Sequence, residues 1–189
     1  EDIAVRQCCM RDGHGSVTIG SEMAGGVRNV TVTECRFIDT DRGLRIKTRR
    51  GRGKDAIVDN IIFEDIRMDG VKTPLAINCF YFCDPDGHTA YVQNREPVLV
   101  DERTPSLRRL FFRRIECKNC HTAAVYIQGL PEQKIRKISL ENIRFSFAEE
   151  ALEGMPEMLD GIDPVRKLGI FINNVEELVL HQVSVEGQI

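Results

Sequence analysis

The sequence predicts an all-β protein: a right-handed, single-stranded parallel β-helix, a solenoid in which short strands stack coil upon coil. Six segments of the 189-residue chain align as copies of one repeat without internal gaps. Within each copy apolar residues alternate with polar ones, which is the period of a strand and not of a helix. Strands at regular spacing also suggest an antiparallel sandwich, but hairpin turns of the Asn-Gly type are nearly absent.

The repeat arranges its apolar residues in four columns, which we expect to face a common core. The first column contains Ile3, Val30, Ile61, Leu110, Ile138 and Leu178. The second contains Val5, Val32, Phe63, Phe112, Leu140 and Leu180. The third contains Cys8, Cys35, Ile66, Ile115, Ile143 and Val183, and the fourth Met10, Phe37, Met68, Cys117, Phe145 and Val185.

The spacing between copies predicts where the repeat is interrupted. First-column residues are 27, 31, 49, 28 and 40 positions apart, and the two long spacings indicate insertions at about residues 84–106 and 146–167. We expect both to be loops that shape a functional cleft, because long loops in compact domains are usually functional. Since the chain opens inside the first repeat, we interpret residues 1–189 as the C-terminal part of one N-terminally truncated β-helix domain.

Polar residues at matching places in adjacent copies predict a binding face. A second apolar alternation follows most copies, and in it Arg45 and Lys47 take the outward positions. His14 lies between two glycines in the turn that enters the preceding coil, while Asn78 and Tyr81 follow in the next one. We therefore expect one exposed wall, where Arg offers a fork for a carboxylate and Lys a point charge. This chemistry favours an anionic substrate, with the aromatic ring as a platform for a sugar.

Composition excludes several other partners. The chain has 26 Lys and Arg against 29 Asp and Glu, a net charge of −3, so no global basic field favours nucleic acid or an anionic membrane. A basic run at residues 45–54 lacks the interleaved aromatics of a nucleic-acid site. No stretch of about 18 apolar residues is present to span a membrane.

The seven cysteines show no disulfide-framework spacing, and for Cys8 and Cys35 the sequence predicts buried thiols of a core column better than a bridge. Cys8 and Cys35 share a column, so a disulfide between adjacent coils is the alternative reading. Cys79 with Cys83, and the segment 117–121, could hold zinc, but a second matched pair is missing. We expect no metal and no cofactor.

The motifs together resemble glycoside hydrolase family 28, the polygalacturonases. The resemblance rests on Gly-His-Gly followed about one coil later by Arg-Ile-Lys, on a tyrosine one coil further, and on the stretches 13–15, 19–23, 40–48 and 81–88. The last of these is similar to bacterial exo-acting members. The resemblance implies inverting hydrolysis of α-1,4-galacturonosidic bonds in pectin or polygalacturonate, by an exo-acting enzyme whose substrate partner is a pectic polysaccharide.

The resemblance also implies residue roles. His14 would orient the catalytic carboxylates, Arg45 and Lys47 would bind the galacturonate carboxylate, and Tyr81 would also bind substrate. Asn78 is expected to bind substrate because of its place on the predicted wall and not because of the resemblance. The family's acids lie in an Asn-Thr-Asp motif and an Asp-Asp pair, and neither occurs in this chain. We therefore expect those aspartates upstream and the fragment to be inactive alone.

Three alternatives stay open at this point. A non-catalytic β-helix module could bind acidic glycans, and a related hydrolase could cut a rhamnogalacturonan or xylogalacturonan. A lyase of the same architecture would need calcium, and no aspartate cluster accompanies Arg45 to hold it.

Overall fold

The computed structural model describes residues 1–186, whose regular structure is nearly all β-strand. In chain order the strands are β1 Ile3–Arg6, β2 Cys9–Arg11, β3 Val17–Ile19, β4 Val27–Thr33, β5 Arg36–Ile38, β6 Arg42–Lys47, β7 Ile57–Asp69, β8 Thr73–Asn78, β9 Ser106–Leu107, β10 Arg109–Cys120, β11 Ala123–Gln128, β12 Ile135–Phe147, β13 Leu168–Asn173 and β14 Val175–Val185. A 3-10 helix at Pro85–His88 and one helical turn, α1, at Ala90–Gln93 complete the elements of these residues.

The strands pair in parallel, coil against coil, as the repeat predicted. Nine strands form one sheet: six follow the path β1-β4-β7-β10-β12-β14, and β2, β5 and β9 pair beside it. Five strands form another sheet in the order β13-β11-β8-β6-β3. The register aligns Ile3 with Val30, and Leu110 with both Ile61 and Ile138, which is the first predicted column. The parallel β-helix is therefore confirmed.

One turn position in each coil explains why the apolar columns fall into two pairs. Each of the long strands β7, β10, β12 and β14 has a residue with a φ of 50–55° at the same place in the repeat: Asp65, Arg114, Asn142 and Gln182. A left-handed residue leaves an extra position in a strand and bends it. Because the alternation changes phase there, both halves of the strand turn their apolar side chains to the core.

The core lies between the two sheets and is fully formed in the middle coils. Val32, Phe63, Phe112 and Leu140 of the second column are completely buried. The end coils differ from the prediction, because Ile3, Leu178 and Leu180 are 41–50% exposed. An end coil has a neighbouring coil on one side only, so its inward side chains remain partly open to water.

The two insertions lie where the repeat spacing lengthens. Residues 79–105 contain the 3-10 helix and α1 but no strand, and residues 148–167 contain only an isolated antiparallel bridge between Gly154 and Val165. That bridge has hydrogen bonds of 3.0 and 2.9 Å and closes residues 155–164 into a loop. We call residues 84–105 the first insertion and residues 148–167 the second insertion.

All seven cysteines are free thiols. Cys79, Cys117 and Cys120 are core residues, and burial raises the pKa of Cys79 to about 12, so it is a poor metal ligand at neutral pH. In residues 1–186 there is no helix with the length and apolarity needed to cross a bilayer.

Candidate carbohydrate-binding site

Three of the predicted site residues, Arg45, Lys47 and Asn78, lie on the outward side of the five-stranded sheet in two adjacent columns. His14 precedes β3, and Tyr81 follows β8. The register places Thr18, Arg45, Ala76, Tyr126 and Phe171 in one column. The other column contains Lys47, Asn78, Gln128 and Asn173. Strand alternation thus gives these side chains the direction that the sequence indicated.

The prediction that the site residues form an exposed wall is wrong for three of them, because the second insertion covers this part of the sheet. Arg45 is 1% exposed, Asn78 0% and Tyr81 6%. Residues 155–160 of the second insertion pack over the outward columns, and the Arg42 guanidinium donates to the Met155 carbonyl at 2.8 Å. The alternation gave the direction of these side chains correctly, but it carried no information about a loop folded over them.

Arg45 binds a carboxylate of this chain. Its Nε and Nη2 atoms donate to Oε1 and Oε2 of Glu157 at 2.5 and 2.8 Å, a bidentate pair with neither side chain accessible to water. Asn78 Nδ2 adds a hydrogen bond of 3.3 Å to the same carboxylate, and the Met158 backbone N–H adds one of 2.9 Å. Arg45 therefore already holds an anion.

The Glu157 cluster contains two guanidinium groups and one carboxylate. Arg42 Nε lies 4.0 Å from Glu157 Oε1. Burial by itself would raise the pKa of Glu157, but hydrogen bonds from Arg45 and the charges of Arg45 and Arg42 hold that pKa below its usual value. Glu157 is thus an ionised, fully buried anion at neutral pH, and it fixes the second insertion to β6.

Of the predicted residues on β6 and after β8, Lys47 alone stays partly open to solvent, and it lies beside the buried ring of Tyr81. Lys47 is half-buried, and its Nζ donates to Tyr81 Oη at 3.1 Å and lies 4.2 Å from the centre of the tyrosine ring. The Arg45 guanidinium is 5.4 Å from the same ring, so Tyr81 stands between the two cations. The ammonium is thus the accessible positively charged group, and the buried ring holds it in place.

Lys47 differs from every other cation in the basic run 45–54. Within residues 1–186 the other five pair with carboxylates, namely Arg45 with Glu157, Arg49 with Asp84 and Asp86, Arg50 with Glu132, Arg52 with Asp84 and Lys54 with Glu102. Lys47 has no carboxylate partner in that part of the chain, only the tyrosine hydroxyl. Five of the six positive charges in this run are therefore neutralised by carboxylates of the same chain. The remaining charge, that of Lys47, lies at the predicted site.

His14 is exposed, as expected, and its partner is Asp41. His14 Nδ1 lies 2.9 Å from Asp41 Oδ2, and Lys72 Nζ lies 2.8 Å from the other carboxylate oxygen. Partial burial would raise the pKa of Asp41, but the hydrogen bonds from Lys72 and His14 leave that pKa below its usual value. An ionised Asp41 can only accept, so Nδ1 carries the proton and Nε2 of a neutral His14 remains an acceptor.

The glycine after His14 is required by space and not by an unusual backbone angle. Neither Gly13 nor Gly15 has a positive φ. A Cβ on Gly15 would lie 2.4 Å from Thr18 Oγ1 and 4.0 Å from Arg45 Cδ. Gly15 therefore lets the histidine turn pack against β3 and against the stem of Arg45.

Two functional partners escaped the sequence interpretation. Asp41 was predictable, because it lies 27 residues after His14, the spacing between the first two copies. Glu157 lies in an insertion and has no place in the repeat, although a lone acid among Met155, Pro156, Met158 and Leu159 is a signal of a buried charge partner.

The described residues contain one group with possible metal-binding geometry, formed by Glu22, Cys83 and Asp84, whose ligand atoms lie within 4.8 Å of one another. All three are exposed, and Asp84 already pairs with Arg49. The cysteine pairs considered from the sequence do not come together in it.

Comparisons with known proteins agree with the motifs. The family model of glycosyl hydrolases family 28 matches residues 1–152. A polygalacturonase of Prunus persica is 30% identical over 153 residues, which cover 79% of this chain and 36% of that protein. An exopolygalacturonase of Arabidopsis thaliana, clone GBGA483, is 41% identical over 92 residues, 47% of this chain and 20% of that protein.

A solved structure shares the fold. The hyperthermoactive exopolygalacturonase from Thermotoga maritima matches with a TM-score of 0.67 at 23% identity, covering 95% of this chain and 34% of that one. The chain thus spans about a third, or less, of the length of these relatives.

Proposed function

Because the chain belongs to glycosyl hydrolases family 28, we propose that it forms the substrate-binding side of a polygalacturonase-type enzyme. The reaction is inverting hydrolysis of α-1,4-galacturonosidic bonds in pectin or polygalacturonate. The observation that carries the proposal is the uncompensated ammonium of Lys47 beside the Tyr81 ring. A galacturonate unit has a carboxylate for this ammonium, which the buried tyrosine holds in place through its hydroxyl and its ring.

Each predicted residue has a distinct role in this proposal. Lys47 donates to the galacturonate carboxylate, and Tyr81 positions the ammonium. Arg45 and Asn78, which we expected to contact substrate, act instead as positioning residues, since they hold Glu157 and with it the loop beside Lys47. His14, fixed by Asp41, presents Nε2 as an acceptor for the O–H of a protonated catalytic carboxyl group or of a water.

The acid and the base of the reaction lie outside these 189 residues. Inverting enzymes need two carboxyl groups roughly 6.5–9.5 Å apart, so that a water fits between the base and the sugar. The carboxylates beside the proposed site are committed to structural pairs: Glu157 with Arg45, and Asp41 with Lys72 and His14. The binding side and the hydrolytic carboxylates would thus come from different parts of one solenoid.

The test is release of reducing ends from polygalacturonate by the protein expressed with its flanking reading frame. We expect hydrolysis with inversion at the anomeric carbon, read by proton NMR of the first product, and a large loss in Lys47→Met. Binding of galacturonate oligomers without hydrolysis would instead identify a non-catalytic module. Faster cleavage of a rhamnogalacturonan or xylogalacturonan would identify the related hydrolase.

We further propose exo action, in which the two insertions close one end of the groove. Contacts between the insertions support this: Asp160 binds His88 at 3.0 Å through its side chain, the Arg95 guanidinium at 2.6 Å through its carbonyl, and Gln93 Oε1 at 3.0 Å through its N–H. Arg50, completely buried, donates to the carbonyls of Tyr91 and Asn94 and anchors the first insertion. A wall held in this way would restrict cleavage to chain ends.

Shortening the first insertion tests the exo proposal. Removing residues 86–103 would take away the Tyr91 and Asn94 carbonyls that accept from Arg50 and would uncover the buried Arg50–Glu132 pair, so the deletion is combined with Arg50→Met and Glu132→Gln. We expect the shortened enzyme to produce mid-chain cuts in polygalacturonate, and the double substitution alone to keep terminal products. Only mono- or digalacturonate from the shortened enzyme would show that this insertion is not the barrier.

A further inference from the structure

A second cavity, of about 460 Å³, opens on the outward side of the same sheet, two strands beyond Arg45 and Lys47. Its walls come from β11, β13 and both insertions, and Tyr126, Gln128, Phe171 and Asn173 of the two outward columns line it. Two inter-strand spacings amount to about 9–10 Å. Pro156 and Leu159 line the cavity, while Glu157 between them turns to Arg45, so one loop separates the two places.

Arg95 of the first insertion brings an uncompensated cation to this cavity. Its guanidinium stacks 4.0 Å from the centre of the Phe80 ring and donates through Nη2 to the Asp160 carbonyl at 2.6 Å. Nη1 is buried and has no hydrogen-bond partner, and no carboxylate in residues 1–186 pairs with this arginine. A buried charged donor without an acceptor is unfavourable, so an anionic oxygen that reached Arg95 would bind with an advantage.

The remaining walls match the surface of a sugar. Tyr126 and Phe171 stack with ring centres 4.8 Å apart and planes 18° apart, which gives the cavity an aromatic side. The side-chain oxygen of Gln128 and the side chain of Asn173 have no hydrogen bonds within the part of the chain that is described. Asp163 also lines the cavity and can accept from sugar hydroxyls.

We propose that this cavity is a second uronate-binding subsite, in which Arg95 binds the carboxylate and the Tyr126–Phe171 pair contacts the sugar ring. The choice of galacturonate as its occupant rests on the proposed function. The subsite lies in the same outward columns as Lys47 but beyond the loop that contains Pro156 and Leu159. It would therefore hold a second, separate acidic saccharide and not the next unit of the chain end bound in the groove.

The experiment is a titration of the ¹⁵N-labelled 189-residue chain with digalacturonate and, separately, with galactose. We expect saturable shifts of the Gln128, Phe171 and Asn173 amides with digalacturonate, and at least about tenfold weaker binding of galactose, which lacks the carboxylate. Arg95→Gln should weaken digalacturonate binding at this place at least about tenfold. Arg36→Gln, an exposed arginine on the other sheet, is the matched control and should change nothing.

Arg95 also holds the Asp160 carbonyl, so Phe171→Ala serves as a second variant that leaves this contact intact. It should weaken binding at least about threefold. The absence of saturable shifts at the three amides, equal affinity for galactose, or an unchanged affinity in both variants would overturn the subsite.

Lys47→Met separates this subsite from the proposed function. Shifts at the subsite that persist in this variant, while wild-type shifts around Tyr81 disappear, support both proposals. Shifts at the subsite with none around Tyr81 in the wild-type chain would retain the subsite and contradict the role of Lys47. Shifts only around Tyr81 would retain Lys47 and overturn the subsite.

Discussion

Arg45 and Lys47 are two positions apart on one strand and point to the same side, yet their surroundings are opposite. Arg45 is sealed under the second insertion and neutralised by Glu157, whereas Lys47 is half-buried beside Tyr81 with no carboxylate partner among residues 1–186. The strand determines the direction of both side chains. The insertion determines which one reaches solvent, and therefore which one can bind a substrate.

The same contrast separates structural anions from functional ones. Glu157 is an internal carboxylate that satisfies Arg45 as a substrate carboxylate would. Lys47 and, further along the face, Arg95 are cations for which the described residues supply no such group. On this face, a cation without an internal anion marks the place where an external anion can bind.

The largest expected effect comes from removing the Glu157 charge. Glu157→Gln leaves Arg45 and Arg42 buried without compensation and should lower the free energy of unfolding by about 3–5 kcal/mol. Chemical denaturation followed by circular dichroism measures it. Glu177→Gln, which removes an exposed partner of Lys137, is the control and should cost less than about 1 kcal/mol. Equal losses in the two variants would show that the Glu157 cluster is not a structural anchor.

Replacing the whole pair sharpens that result. Arg45→Met with Glu157→Leu removes both charges and fills similar volume, so most of the stability lost in Glu157→Gln should return. The same denaturation curves decide it. A double variant as unstable as the single one would mean that packing of the loop, and not the uncompensated charge, dominates.

We expect Lys47 to contribute to the use of substrate and to contribute little to the stability of the fold. In the active enzyme Lys47→Met should reduce kcat/KM on oligogalacturonate roughly ten- to a hundredfold, the value of a charge-assisted hydrogen bond of about 1.5–3 kcal/mol. Lys54→Met, which removes an exposed lysine of the same basic run, should leave kcat/KM unchanged. Parallel losses in both variants would point to a general effect of positive charge.

A smaller effect is expected where the histidine turn meets β3. Gly15→Ala places a Cβ 2.4 Å from Thr18 Oγ1, and this overpacking should cost about 1–2 kcal/mol in thermal or chemical unfolding. Gly13→Ala meets nothing closer than 3.8 Å and should be nearly neutral. Thr18→Ala added to Gly15→Ala should restore part of the loss. A neutral Gly15→Ala would remove the steric reason for this glycine.

The smallest effect concerns the titration of Asp41. Its pKa in the folded chain is below the usual value of about 3.9, because the hydrogen bonds from Lys72 and His14 outweigh the opposing effect of burial. A carboxyl group whose pKa is lowered by folding stabilises the fold at pH values above its unfolded-state pKa. This contribution is lost as the pH falls through its folded-state pKa. Carboxyl-carbon NMR should show that the pKa of Asp41 is higher in Lys72→Met than in the wild-type chain. A pKa that stays where it was would exclude the Lys72 hydrogen bond as a cause.

The repeat made the solenoid predictable and, with it, part of the site. Once Ile3, Val30 and Ile61 are aligned, the spacings of 27 and 31 also pair His14 with Asp41 and Asp41 with Lys72, because a parallel ladder stacks equivalent positions. The family resemblance drawn from the motifs is confirmed by the match over residues 1–152. In a solenoid most contacts join equivalent positions of neighbouring copies. Because the copies can be aligned in the sequence, these contacts can be predicted from it.

What the insertions do could not be predicted in the same way. Glu157 meets Arg45 across 112 residues, and Asp160 meets His88 across 72, with no periodic position to relate them. Such contacts depend on how a loop closes and not on a repeated pattern. This is why the accessibility of Arg45, Asn78 and Tyr81 was the part of the sequence interpretation that the structure corrected.

The most direct test of the division between Arg45 and Lys47 is a crystal structure of the protein with bound digalacturonate. We expect a substrate carboxylate at hydrogen-bonding distance, about 2.7–3.2 Å, from Lys47 Nζ, with Glu157 still bidentate on Arg45. A substrate carboxylate on Arg45, with Glu157 displaced from it, would contradict the account.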